Sequence, residues 1–301
     1  MNQVLVEARK LVKSYAEKDV LSGVDLDLKQ GECLAILGAL GAGKTSLLRI
    51  LSLVIPVDRG DIFIAGSNTR EELGNSKSLI GSVFDIDLFE EEFSVFENLL
   101  LYSKFHNISA KDARDSIKKK MRLFEISQYS DRSIGELSPF ELRCLSLCRA
   151  LIHDPKVLIL DSIFNGLDLL ERNFLFDILS DLKKDGLSIV VSSDNVTDVR
   201  DLADRVAILA DGKIKTVGSP ADLIDEQIGE EVIEFLLRED EIEYTIRKIE
   251  NQFEYRVSGN KVIVYLKQGQ DSRQLLNFIS SDGLSIRKAQ LRDVVQKMEL
   301  S

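Results

Sequence analysis

Apolar and polar positions change period several times along the chain, and each change marks an element. Over residues 1–30, Val4, Val6, Leu11 and Val12 come first, and Val20, Val24, Leu26 and Leu28 follow, the last three alternating with Asp25 and Asp27. That alternation predicts strand, turn, strand. Gly31-Glu32 leads into Cys33-Leu34-Ala35-Ile36-Leu37, a short unbroken apolar run that suits a strand buried on both faces of a sheet. A glycine-rich loop and a helix over Lys44 to Leu53 follow, then strands over Asp61 to Ala65 and Leu79 to Phe84. From Ser94 to Leu151 the spacing is helical, with Ile117, Met121 and Phe124 on an apolar face and seven charges between Lys111 and Lys120 on a solvated one.

After the turn His153-Asp154-Pro155, Val157-Leu158-Ile159-Leu160-Asp161 is a second buried strand. A helix over Leu169 to Lys183, broken by Gly186, a strand over Leu187 to Val191, a helix over Val196 to Ala203 and a strand over Val206 to Leu209 come next. Asp211-Gly212 turns into Lys213 to Val217 as a hairpin. Gly218-Ser219-Pro220 reads as a boundary. Beyond it, Ala221 to Glu243 reads as acidic and mostly helical; Phe253 to Val257 and Lys261 to Leu266 form a hairpin about Gly259-Asn260. A helix over Gln274 to Ile279, a strand over Leu284 to Arg287 and a helix over 291–298 finish the chain. The expected organisation is a main α/β domain over 1–220, with a helical subdomain at about 94–151, and a small α+β accessory domain over 221–301.

Composition narrows the function classes. A chain of 301 residues holds one large α/β domain and a smaller one. Fifty acidic against 39 basic residues give a net charge of −11, which argues against nucleic acid or an anionic lipid surface as the main ligand. No run approaches the ~18 apolar residues of a membrane span, and MNQVLVEARK lacks a signal-peptide pattern. The expected location is cytoplasmic, without direct membrane insertion, and any membrane role must come through a partner. The three cysteines, Cys33, Cys144 and Cys148, make no disulfide framework. Only His106 and His153 could complete a metal site with them, so burial is the expected role.

The chemistry sits in Gly38-Ala39-Leu40-Gly41-Ala42-Gly43-Lys44-Thr45. This is the phosphate-loop pattern GxxxxGK[ST], in its required setting of strand, loop and helix. Backbone N–H groups must wrap around phosphate oxygens, and side chains would obstruct that approach, so glycine recurs. The helix N-terminus adds partial positive charge. Lys44 is expected to reach the β and γ phosphates and the Thr45 hydroxyl to bind Mg²⁺, with Ser46 beside it in the nucleotide site. Asp161, ending the second buried strand, is the expected second magnesium residue.

With these in place, residues 3–220 resemble the ATP-binding subunit of an ABC transporter. Tyr15 matches the aromatic residue that stacks on adenine, and Ser94-Val95-Phe96-Glu97-Asn98-Leu99 matches a conserved helix start that also reads as a capping box. Arg149 to Asp161 is close to the family's run into the second acidic motif; Asn165-Gly166-Leu167-Asp168 and Ala203 to Ile214 match later segments. The resemblance implies a P-loop (RecA-like) core with an N-terminal antiparallel β subdomain and an inserted helical subdomain. It also implies ATP and Mg²⁺ as cofactors, a membrane permease as partner, and a homodimer or heterodimer of ATP-binding subunits. In such dimers each ATP lies between one subunit's phosphate loop and the other's signature segment, LSGGQ. The C-terminal unit resembles extensions of drug- and polysaccharide-export ATPases, with Leu291-Arg292-Asp293-Val294-Val295 a weak match to their ending.

Four positions depart from that pattern. Asp85 stands where the family has a magnesium-sensing Gln, and the signature reads Leu137-Ser138-Pro139-Phe140-Glu141. Ser162 replaces the Glu that polarises water, and Asp194 replaces the His that meets the γ-phosphate. Asp85 can still ligate Mg²⁺, and Ser138 can still donate one hydrogen bond to nucleotide. Ser162 cannot act as a base near neutral pH, and losing a positioned base typically costs ~10²–10⁴-fold in rate. Asp194 sets a negative charge where a donor should meet phosphate, and Pro139 has no N–H to offer. No residue is therefore assigned a catalytic role. The expected function is an ATP-binding subunit of an export complex with weak or absent hydrolysis. Phe84, Leu88, Phe89, Phe93 and Phe96 are candidates for docking the permease. The competing reading is an ATP-controlled switch or scaffold of a membrane complex without transport; a soluble P-loop kinase lacks an acceptor-site motif.

Overall fold

The computed structural model describes residues 3–16, 18–84, 89–267, 269–270, 272–276 and 283–298. They form two units, Met1–Lys215 and Thr216–Ser301. In the first unit, β1 (Val4–Tyr15) buries Leu5, Val6, Ala8 and Leu11 and pairs antiparallel with β2 (Lys18–Lys29), Ala8 opposite Leu26 and Leu11 opposite Val24. Its other edge takes β4 (Arg59–Ile64), which carries β5 (Ser67–Asn68), giving the order β2-β1-β4-β5.

The central sheet is built from β3 (Cys33–Leu37), β6 (Ile80–Val83), β7 (Val157–Asp161), β8 (Ser188–Ser193), β9 (Arg205–Ala210) and β10 (Lys213–Gly218). Its order is β10-β9-β3-β8-β7-β6. The five strands from β9 to β6 run parallel, and every residue of β3 and β7 is buried. Both unbroken apolar runs are thus central strands, covered on both faces. Helix α1 (Lys44–Leu51) follows β3, packs against β7 and β8, and ends before Leu53, whose φ of 58° is left-handed. Helix α2 (Leu73–Ser78) leads into β6, and α6 (Leu169–Lys184) into β8.

The helical insertion comprises α3 (Val95–Phe105), α4 (Ala110–Leu123) and α5 (Pro139–Leu151). The Ser94–Glu97 capping box is present at the start of α3. Gly81 brings α5 close to β6, since a β-carbon there would lie 2.2 Å from the Ala150 carbonyl oxygen. His153 Nε2–H donates to the Ile80 carbonyl at 3.0 Å, and the ring stacks on His106 with centroids 3.8 Å apart. Burial, then the neighbouring His106, lowers the His153 pKa to about 4. All three cysteines are buried, and burial pushes the Cys144 thiol up to about 12.

Two expected elements differ. The helix expected over Val196 to Ala203 shrinks to one 3-10 turn, Val196–Asp198. Side chains there compete with the helix for partners: Asn195 Oδ1 accepts from the Thr197 N–H at 3.0 Å, and the Ser193 hydroxyl donates to Asp198 at 2.8 Å. Asp198 is further held by Arg172 at 2.7 Å.

In the second unit, the stretch Ala221 to Glu243 is not one helical run. Helix α7 (Pro220–Gln227) stops at Gly229, strand β11 (Glu231–Leu236) follows, and α8 (Glu239–Ile249) comes after it. Gly229 has φ 101°, and a β-carbon there would lie 2.1 Å from the Leu266 carbonyl oxygen, so the chain turns and pairs instead of coiling. β11 is the inner strand between β13 (Lys261–Leu266) and β14 (Ser285–Lys288), with β12 (Glu254–Ser258) at the far edge. Its inward Ile233 and Phe235 pack with Leu237, Ile249, Val262 and Val264. Helices α9 (Ser272–Leu276) and α10 (Leu291–Met298) complete the unit; the expected helix extension over residues 277–279 lies outside the described residues.

Candidate nucleotide site

Register places the site. β3 and β8 pair with Leu37 beside Ser193, and β7 and β8 with Asp161 beside Ser192. The carboxyl ends of three parallel strands are therefore level, where ligands bind in open α/β sheets. The phosphate loop leaves β3, and Asp161 stands two strands away with β8 between.

The loop's glycines are sterically required. A β-carbon on Gly38 would lie 2.1 Å from the Leu209 carbonyl oxygen, and one on Gly43, at φ 106°, would lie 2.9 Å from that of Val20. Ala39, Leu40, Gly41 and Thr45 are exposed, and Ala42, Gly43 and Ser46 are half-buried. Leu40 is 91% exposed. Lys44 is buried at 6% exposure. Its ammonium donates to the carbonyl oxygens of Gly38 at 2.6 Å and Ala39 at 2.9 Å, and pairs with Asp194 at 2.5 Å. Tyr15 is 46% exposed, and its hydroxyl lies 3.5 Å from the Ser46 hydroxyl on the first turn of α1. The Lys13 ammonium sits 5.5 Å from the centre of the Tyr15 ring.

Asp161 is buried and accepts from the Ser192 hydroxyl at 2.6 Å. The same Ser192 oxygen accepts from the Ser162 N–H at 3.0 Å. Ser162 itself has φ 53°, a left-handed backbone that costs a non-glycine residue free energy. Ser192 thus ties the Asp161 carboxylate to the backbone at Ser162. Sequence reasoning missed it, although a serine directly after an apolar strand that ends level with the loop was the available signal.

Ser138 lies elsewhere, at the N-cap of α5, its hydroxyl accepting from the Glu141 N–H at 3.3 Å while Glu141 accepts from the Ser138 N–H at 2.6 Å. This capping box was missed from the sequence, although its Ser-x-x-Glu spacing was the available signal. Among the described residues, no hydrogen bond joins Ser138 to the phosphate loop of its own chain. Arg143, one turn further, donates to the carbonyls of Ile163 at 2.5 Å and Asn165 at 2.8 Å, and so fixes the segment after β7. No motif marked it. Phe84 and Phe89 line a cleft of about 350 Å³ with Val83, Pro139, Arg143 and Asp161. Phe93 is exposed and Phe96 half-buried. Asp85 and Leu88 lie outside the described residues.

A strand, a glycine loop, a helix whose first residue is a buried lysine, and an aspartate ending the strand two along in the sheet define a P-loop nucleotide-binding fold. The profile of the family described as ABC transporter matches residues 21–165. The Nod factor export ATP-binding protein I of Burkholderia orbicola (strain AU 1054) is 32% identical over 234 residues, 78% of this chain and 77% of that protein. The protein of the same name from Rhizobium sp. (strain N33) is 30% identical over 299 residues, 99% of this chain and 98% of that one. A solved ATP-binding subunit of an ABC transporter superposes with a TM-score of 0.68 at 22% identity, covering 74% of this chain and 92% of that one. The dimeric bacterial cassette MJ0796 gives 0.66 at 23%, covering 71% and 98%. The chain belongs to the ABC transporter family, as an ATP-binding subunit. Among the described residues no helix is long and apolar enough to cross a membrane.

Proposed function

We propose that the protein is the ATP-binding subunit of an ABC export complex that binds MgATP at the Gly38–Ser46 loop and hydrolyses it slowly or not at all. The observation that carries this reading is the coexistence of a fully formed phosphate loop with Ser162 and Asp194 at the positions of base and γ-phosphate donor. The loop's glycine contacts, the buried Lys44 and the half-exposed Tyr15 beside Ser46 support nucleotide binding. Adenine stacks on Tyr15, and loop N–H groups and Lys44 hold the phosphates. Export follows the relatives, named for Nod factor export.

Magnesium fits the oxygen donors present: the exposed Thr45 hydroxyl and the Asp161 carboxylate, whose Oδ1 is steadied by Ser192. Asp85 is a third candidate from the sequence. The bound ion would neutralise phosphate charge; the chain's own residues orient it and the nucleotide. The chain offers no group able to take a proton from attacking water at position 162, since a serine hydroxyl is no base near neutral pH.

A second ATP-binding subunit, of this chain or another, and a membrane permease complete the proposed assembly, with Ser138 facing nucleotide on the partner's loop and the phenylalanines by the cleft receiving the permease. This places the chain on the cytoplasmic side, peripheral to the membrane. The test is nucleotide binding measured beside hydrolysis, with and without a co-purified membrane partner. Binding with flat turnover is expected; brisk turnover of MgATP by the purified chain alone would refute the reading. The switch or scaffold reading is favoured by the same eroded positions, and transport of cargo by the reconstituted complex would exclude it.

A further inference from the structure

The Lys44 ammonium has three donors, and all three are used within the chain: the carbonyls of Gly38 and Ala39 and the carboxylate of Asp194. The two carbonyls belong to the loop itself. Asp194 does not; it follows β8, and the pairing of Leu37 with Ser193 sets it beside the start of the loop. With Lys44 buried and Asp194 41% exposed, the carboxylate reaches in from the solvent side, the side from which phosphates approach.

From this contact we infer that Asp194 is a specificity-determining residue: an internal counter-ion that occupies Lys44 in place of a terminal phosphate and makes the site favour nucleoside diphosphates over triphosphates. The inference rests on the proposed nucleotide site and adds to it a preference between ligands. Either nucleotide must draw Lys44 away from Asp194, so that cost is common to both. Only a triphosphate then brings a further doubly charged group to the mouth of the loop, where the displaced carboxylate lies. Like charges in such proximity oppose binding even when partly solvated. A diphosphate keeps its charge inside the loop, against backbone N–H groups and the helix N-terminus. The site thus responds to the balance of the two nucleotides and holds the diphosphate form without having to make it.

The experiment is titration of the full chain with MgATP and MgADP by calorimetry, for the wild type and for Asp194→Asn, Asp194→Ser and Asp194→Glu. The wild type is expected to bind MgADP more tightly. Asn and Ser should each raise the ATP-to-ADP affinity ratio by about tenfold (about 1.4 kcal/mol), while Glu, which keeps the charge, should leave it within about twofold. An unchanged ratio in both neutral variants overturns the inference and leaves the nucleotide site standing. Failure of the wild type to bind either nucleotide overturns both. Circular dichroism of each variant checks folding, and two neutral substitutions keep the test decisive if one misfolds.

Discussion

Lys44→Ala is the sharpest test of the nucleotide site. The ammonium is 6% exposed and sits among two carbonyls and one carboxylate. A charge-assisted hydrogen bond from it to phosphate is worth about 1.5–3 kcal/mol; because Asp194 already engages it, the lower figure applies. Removing Lys44 also leaves the Asp194 carboxylate uncompensated beside the phosphates. Two unit charges about 5 Å apart repel by about 1 kcal/mol in a water-like environment, the proper limit for a side chain 41% exposed. Together these give about 2.5 kcal/mol, or about 60-fold weaker MgATP binding. The double variant Lys44→Ala/Asp194→Ala should recover the repulsive part, about fivefold. Calorimetric titration reads both. The fold itself should tolerate the change, because the Asp194 end of the pair is 41% exposed and a solvent-screened ion pair contributes about 0–1 kcal/mol, so the melting midpoint should fall by a few degrees at most. MgATP affinity within threefold of wild type in the single variant would show that phosphates do not bind where the loop is.

Three further outcomes are expected. Ser192→Ala removes the donor to Asp161 and the acceptor of the Ser162 N–H, costing about 1–3 kcal/mol; an unmoved urea midpoint would contradict that linkage. The His153 pKa is held at about 4 against 6.5 when unfolded, so between those values the unfolded chain binds the extra proton. Stability is then full above pH 6.5 and declines as pH falls from 6.5 towards 4; the decline should flatten in His153→Gln, and identical pH–stability curves would rule the residue out as its source. Gly229→Ala combines a left-handed φ with a contact of 2.1 Å and should destabilise the second unit by about 3 kcal/mol, read as faster proteolysis after residue 216; wild-type resistance would show that the turn relaxes freely.

Much of the molecule was legible because its signals are local. The all-apolar runs of β3 and β7 announce buried strands whatever surrounds them, and the glycine loop between a strand and Lys44 has one chemical use. The Ser94–Glu97 box marks a helix start by hydrogen bonds three residues apart. β11 was not legible: Glu230, Glu231 and Glu234 give it the composition of the acidic helices on either side, and only pairing with β13 and β14 makes it a strand. The helix expected over Val196 to Ala203 failed for the related reason that Ser193, Asn195 and Asp198 find partners outside any helix.

The sequence by itself determined the fold class and the phosphate loop, since each is written in residue types at fixed spacing along one strand, loop or helix. Only the tertiary structure decided that Asp194 meets Lys44, that Ser192 bridges Asp161 and Ser162, and that Arg143 holds the segment after β7. Those contacts join residues 20 to 150 positions apart, and it is the register of neighbouring strands and the packing of α5 against them, not any pattern along the chain, that brings such groups within hydrogen-bonding distance.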